Sequence, residues 1–177
     1  QFGSVIVQVS IDAVGGLASY IRYPSNFDVI DKNLRELIAL EGNISIKATC
    51  ALQSLNLNKL PELFDYLEGF NRQANRQVID IRPLFVQHPQ RFDLIYLPQP
   101  YKVDCFRRIY MWQMTKCKYQ GQQFTDAMNA LKRKCYEKVD PTYLPELLMF
   151  NQELDKIRNM RLQDYNSELY AVLEKYV

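Results

Sequence analysis

The chain has 177 residues, 47% of them apolar and 24% charged, with a formal net charge of +2. These are ordinary globular values, which exclude a disordered chain, and the length fits one domain over residues 1–177 with ample core. No apolar run reaches the roughly 18 residues that cross a bilayer, and so small a net charge argues against nucleic acid as a partner.

Glycine is scarce, at six, against twelve tyrosines and nine phenylalanines. That balance favours long helices with aromatic edges over a turn-rich sandwich. The fold class expected is all-α: a bundle of five or six helices with a long C-terminal helix, a proline-rich ordered strap and one short N-terminal β segment.

In chain order, Ser4 to Ile11 alternates Val5, Val7, Val9 and Ile11 with more polar neighbours, a strand pattern for which the sequence offers no evident partner. Phe27 to Leu40 reads as a helix with Val29, Ile30, Leu34, Leu37 and Ile38 inward, Ser25 opening it and Gly42 stopping it. Ser45 to Leu55 reads as a second helix that turns Ile46, Cys50 and Ala51 to the core. Pro61 sits early in a third, with Asn58 as its cap, and the stripe Leu60, Leu63, Phe64, Leu67, Phe70, Ala74 and Val78 carries it to Ile81. Pro83, Pro89, Pro98 and Pro100 break the next stretch. Its many aliphatic and aromatic residues predict an ordered strap rather than a linker.

Tyr101 to Val139 reads as a helical hairpin turning at Tyr119–Gln122. The apolar stripe Val103, Phe106, Ile109, Tyr110, Met114 and Cys117 faces the stripe Phe124, Ala127, Met128, Leu131 and Cys135. The register sets Cys105 opposite Cys135, so the expected disulfides are Cys105 to Cys135 and Cys50 to Cys117. The bland reading is four reduced, buried thiols. After Pro141 and Pro145, apolar residues from Leu147 to Tyr176 predict one final helix of roughly 48 Å, whose end projects, bends or pairs with a second copy, the bland reading being that its stripe packs into the core.

Charge is unevenly placed. Residues 101–138 carry nine basic against three acidic side chains, whereas the flanking segments are slightly acidic. Arg107, Arg108, Trp112, Lys116, Lys118, Lys132, Arg133 and Lys134 form the candidate surface for a protein or anionic partner, with charge for the anion and aromatic faces for stacking. The bland reading is a solvated face docked on acidic residues of the last helix.

Catalytic signatures are absent from the sequence. The single His88 has no Cys-x-x-Cys or second histidine beside it, so no metal site or histidine-dependent triad is legible, and Gly15-Gly16 lacks the residues of a phosphate loop. No cofactor is expected. The four cysteines, the start at Gln1 and the glycosylation sequon at Asn43 point to an extracellular, secreted chain.

The function expected is therefore that of a non-enzymatic, disulfide-stapled binding or interaction module acting through the basic aromatic hairpin. One alternative is an extracellular carrier of a hydrophobic ligand, enclosed by residues such as Phe64, Phe70, Phe106, Met111, Met114, Met128, Met149, Phe150 and Met160. Another is an intracellular helical adaptor or capsid-like assembly domain.

Overall fold

The computed structural model describes residues 4–40 and 44–176. In chain order its elements are β1 (Val5–Ser10), α1 (Gly15–Ile21), α2 (Phe27–Ala39), β2 (Ile44–Leu52), α3 (Leu60–Ala74), β3 (Ile79–Phe85), α4 (Gln99–Lys116), α5 (Gln122–Tyr136), α6 (Leu144–Arg158), α7 (Leu162–Tyr165) and α8 (Ser167–Leu173). The three strands form one parallel sheet in the order β1-β2-β3.

This sheet overturns the all-α expectation. The stretch read as a second helix is β2, the central strand, and the stretch divided between a helix tail and the strap contains β3. In β2 the buried residues are Ile46, Ala48, Cys50 and Leu52, a period of two. Ile46 and Cys50 also satisfy the helical step of four, so a short apolar run of this kind does not choose its own conformation. Its partners chose it. Val5 to Ser10 pairs with Ile44 to Thr49 on one side, and Ile79 to Phe85 pairs with Ile46 to Leu52 on the other.

The sequence order of the strands fixes where the helices lie. Right-handed crossovers between successive neighbouring strands place α1, α2 and α3 on one face of the sheet. Ile46, Ala48, Cys50, Leu52, Ile79 and Ile81 point to that face and are almost wholly buried against Leu63, Leu67, Phe64 and their neighbours. The hairpin forms over the expected residues, with α4 and α5 as its arms, and packs onto α3; the face α4 buries is Lys102, Cys105, Phe106, Ile109 and Trp112, whereas Tyr110 and Met114 of the expected stripe are exposed. Phe64 of α3, Trp112 of α4 and Phe124 of α5 meet there as an aromatic triangle, with ring centroids 5.3 to 6.0 Å apart.

Asparagines set the helix ends. α3 stops at Asn75, in the left-handed region at φ 51°, well short of Ile81. The expected long final helix is three helices, because Asn159 at φ 52° ends α6 and the Asn166 side chain caps α8 by accepting from Leu169 N at 3.3 Å. Leu147, Leu148, Leu162, Leu169 and Leu173 turn inward, so no long projecting helix stands ready for a second copy. Similarly, the cap of α2 is Asn26, whose side chain accepts from Asp28 N at 2.8 Å, rather than Ser25. Pro61 does occupy the first turn of α3, but Asn58 is buried in a reciprocal pair with Asn166 and is no cap.

Candidate functional site on the open face of the sheet

Parallel sheets are ordinarily buried on both faces and read as nearly continuous aliphatic runs. This one carries two polar rows on the face opposite the helices, flanked there by Ile6, Ala51 and Leu84. The register aligns Gln8, Lys47 and Asp80 in one row across the three strands and Ser10, Thr49 and Arg82 in the next. Side chains alternate along a strand, so these six share the face opposite the helices. Gln8 and Ser10 are exposed and the other four half-buried.

Between the rows, Gln8 Nε2 donates to Thr49 Oγ1 at 2.8 Å, and Arg82 pairs with Asp80. Arg82 Nε is buried without a hydrogen-bond partner, and Lys47 has no ion-pair partner among the described residues. Two cations thus share the face with one carboxylate.

The rim lies at the carboxyl ends of the strands, where ligands of open α/β sheets generally sit. Asp12, two residues past β1, is buried. Its Oδ1 accepts from Ala51 N at 2.7 Å and its Oδ2 from Arg22 Nε at 2.6 Å. Asn56 Nδ2 donates to Asp12 O at 2.7 Å and to Ala51 O at 2.8 Å, which locks the ends of β1 and β2 together. Beside this knot opens a cleft of about 370 Å³, lined by Asp12, Tyr20, Arg22, Gln53, Phe92, Phe150, Asn151 and Arg158 among others. Tyr20 OH lies 3.0 Å from Asn151 Oδ1 and 2.7 Å from Asp155 Oδ1, and Arg158 Nη1 donates to Tyr20 O at 3.0 Å. Burial, reinforced by Asp155, pushes the Tyr20 phenol far above its ordinary range, so it stays a hydrogen-bond donor at any working pH. Arginines, a fixed hydroxyl and amide groups beside two phenylalanines suit a small polar ligand that carries an anionic group.

The hairpin residues singled out in the sequence divide into three groups. Trp112 is buried, and its Nε1 reaches Asp65 Oδ1 at 3.3 Å. Arg108 is engaged by Glu168 at 2.5 and 3.1 Å, Lys116 by Asp65 at 3.1 Å and Lys134 by Asp93 at 3.5 Å. Arg107, Lys118, Lys132 and Arg133 are exposed, without an ion-pair partner among the described residues. Part of the basic surface is therefore used internally. Its turn is held by Glu68 of α3, a buried carboxylate that accepts from Lys118 N, Tyr119 N, Gln120 Nε2 and Asn71 Nδ2 at 2.6 to 2.8 Å.

All four cysteines are free thiols, so neither expected bridge is formed. Cys50 stands on β2 rather than on a helix, packed into the sheet's core, and Cys117 ends α4. Burial raises every one of them, Cys105 and Cys117 to about 11 and Cys135 to about 12. Of the residues expected around a hydrophobic ligand, Met111, Met114 and Met149 are each at least 60% exposed, whereas Phe64 and Met128 fill the core. His88 is exposed. Asn43 lies outside the described residues.

Sequence reasoning missed Lys47, Thr49, Asp80, Arg82, Asp12 and Arg22. The signal that would have found them is the alternation already visible in β1, which recurs at Lys47 and Thr49 in IKATCAL and at Asp80 and Arg82 in IDIRPLF. No protein-family profile, curated protein or solved structure matches the chain. No helix among the described residues is long and apolar enough to cross a membrane.

Proposed function

We propose that the protein is a ligand-binding α/β protein whose site is the open face of the sheet and the adjoining rim, and whose ligand is a small polar molecule bearing a phosphate or carboxylate group. The observation that carries this reading is the pair of polar rows on a parallel sheet, Gln8-Lys47-Asp80 and Ser10-Thr49-Arg82, where such sheets ordinarily place aliphatic residues. Lys47 and Arg82 supply the charge, Arg82 Nε offers an unused donor, and the adjoining cleft adds Arg158, together with Arg22 held by Asp12. Adenosine monophosphate, inorganic phosphate and acetate are suitable probes, the first adding a ring for Phe92 and Phe150.

Calorimetric titration tests it. The reading expects Arg82→Met and Lys47→Met each to weaken probe binding at least about tenfold, the loss of one charge-assisted contact, while Lys132→Met leaves it unchanged. Absence of binding by all three probes, or a loss caused by Lys132→Met instead, would contradict it.

A second reading keeps the hairpin as a docking surface for a protein partner. It is favoured by the exposed stripe of Arg107, Tyr110, Met111 and Met114 on α4, with Arg133 and Tyr136 exposed on α5. An acidic, partly apolar partner matches those charges and side chains.

A further inference from the structure

The sheet has two edges, and they are built differently. Along β3 the outward backbone groups of Ile79 and the outward N–H of Ile81 are taken by side chains. Ile79 N donates to Asn71 Oδ1 at 2.8 Å, and Ile79 O accepts from Asn71 Nδ2 at 2.9 Å and from Gln120 Nε2 at 3.2 Å. Ile81 N donates to Gln120 Oε1 at 2.9 Å, and the next outward position, Pro83, has no N–H to offer. Among the described residues, nothing of the kind guards β1.

Ile11 N donates to Thr49 O at 2.9 Å, so along this ladder the odd-numbered residues of β1 bond to β2 and the backbone groups of Ile6, Gln8 and Ser10 face outward. The strand VIVQVS carries no charge, no proline and no bulge, the devices that normally protect an edge, and Ile6 is 60% exposed. Beside it, between β1 and α2, runs a groove of about 290 Å³ lined by aliphatic side chains, Ile30, Leu34 and Leu37 among them. No charged residue lines the groove, and the nearby charges of α2 are paired with one another, Arg35 with Asp31 and Lys32 with Glu36. Its electrostatics therefore match an uncharged occupant.

From this asymmetry we infer that β1 is a receiving edge: an extended partner segment adds to it as a fourth strand and sets alternate aliphatic side chains into the β1–α2 groove. The backbone row specifies a strand, and the groove specifies an uncharged apolar residue at every second position. This inference is independent of the ligand proposed for the open face.

The test is amide hydrogen exchange, followed by NMR, on the protein with and without an acetylated nine-residue peptide alternating valine and threonine. At saturating peptide the Ile6, Gln8 and Ser10 amides should exchange at least tenfold more slowly, with Val7, Val9, Ile79 and Ile81 unchanged. Ile6→Pro deletes an outward N–H and should weaken the peptide at least tenfold. Leu37→Lys, which charges the groove and leaves β1 intact, should do the same should the proline variant fail to fold. Protection at β3, no protection at all, or protection of Ile6, Gln8 and Ser10 that appears without peptide and grows with protein concentration would each overturn the inference, the last by making a second copy the occupant.

Discussion

Glu68 shows how much one buried side chain organises here. Its two oxygens satisfy the N–H groups of Lys118 and Tyr119 and both amide groups that seal the β3 edge. Glu68→Ala leaves buried donors without partners at roughly 1–3 kcal/mol each. A loss of at least about 2 kcal/mol in urea unfolding is expected, and a loss below about 0.5 kcal/mol would mean the turn holds itself. The thiols give a second prediction at this scale. Because burial holds all four well above the ordinary range, the native protein should react slowly with iodoacetamide at pH 8, Cys117 first because it alone is partly exposed, and unfolding should release four reactive groups. Fast labelling of Cys50 in the native state, or fewer than four groups after unfolding, would contradict the packing described.

Among the elements, those whose periodicity is long were legible in the sequence and those whose conformation depends on a distant neighbour were not. α4 and α5 span 18 and 15 residues, enough turns for the apolar stripe to declare itself, and both formed where expected. β2 has nine residues and β3 seven, and each is a strand because another strand lies beside it; Asn71 and Gln120, which anchor β3, come from α3 and from the hairpin turn. α3 was expected to run to Ile81 and the last helix to continue unbroken, yet asparagine at 75 and 159 ends α3 and α6. The same limit hid the open face, whose rows exist only once three segments are in register.

The arms of the hairpin carry a pH prediction. Burial raises the Asp65 and Glu168 carboxyls, but hydrogen bonds outweigh it, from Lys116, Trp112 and Arg72 to Asp65 and from Arg108 and Asn58 to Glu168, so both sit below the usual carboxylate range. Groups with depressed folded values stabilise the fold above their unfolded values and lose that contribution as pH falls through the folded ones. The urea midpoint should therefore decline below about pH 5, and Arg108→Met should flatten the part of the decline that belongs to Glu168. A midpoint constant down to about pH 3 would remove these pairs from any role in stability.

At the scale of the whole molecule, the crossover helices lie on one face of the sheet and leave two polar rows on the other, and the ligand site proposed for it follows from that asymmetry. The hairpin, prominent in the sequence for its charge, is to a large extent structural: Trp112 fills the core, and three of its cations bind carboxylates of the same chain. The sheet, quiet in the sequence, gathers Lys47, Asp80 and Arg82 where solvent reaches them. The most direct measurement is an NMR titration of the labelled protein with adenosine monophosphate, mapping which amides shift. The account predicts saturable shifts at Gln8, Lys47, Thr49, Arg82 and the Asp12 rim, with the hairpin still; shifts confined to Arg107, Lys132 and Arg133, or none at any concentration, would contradict it.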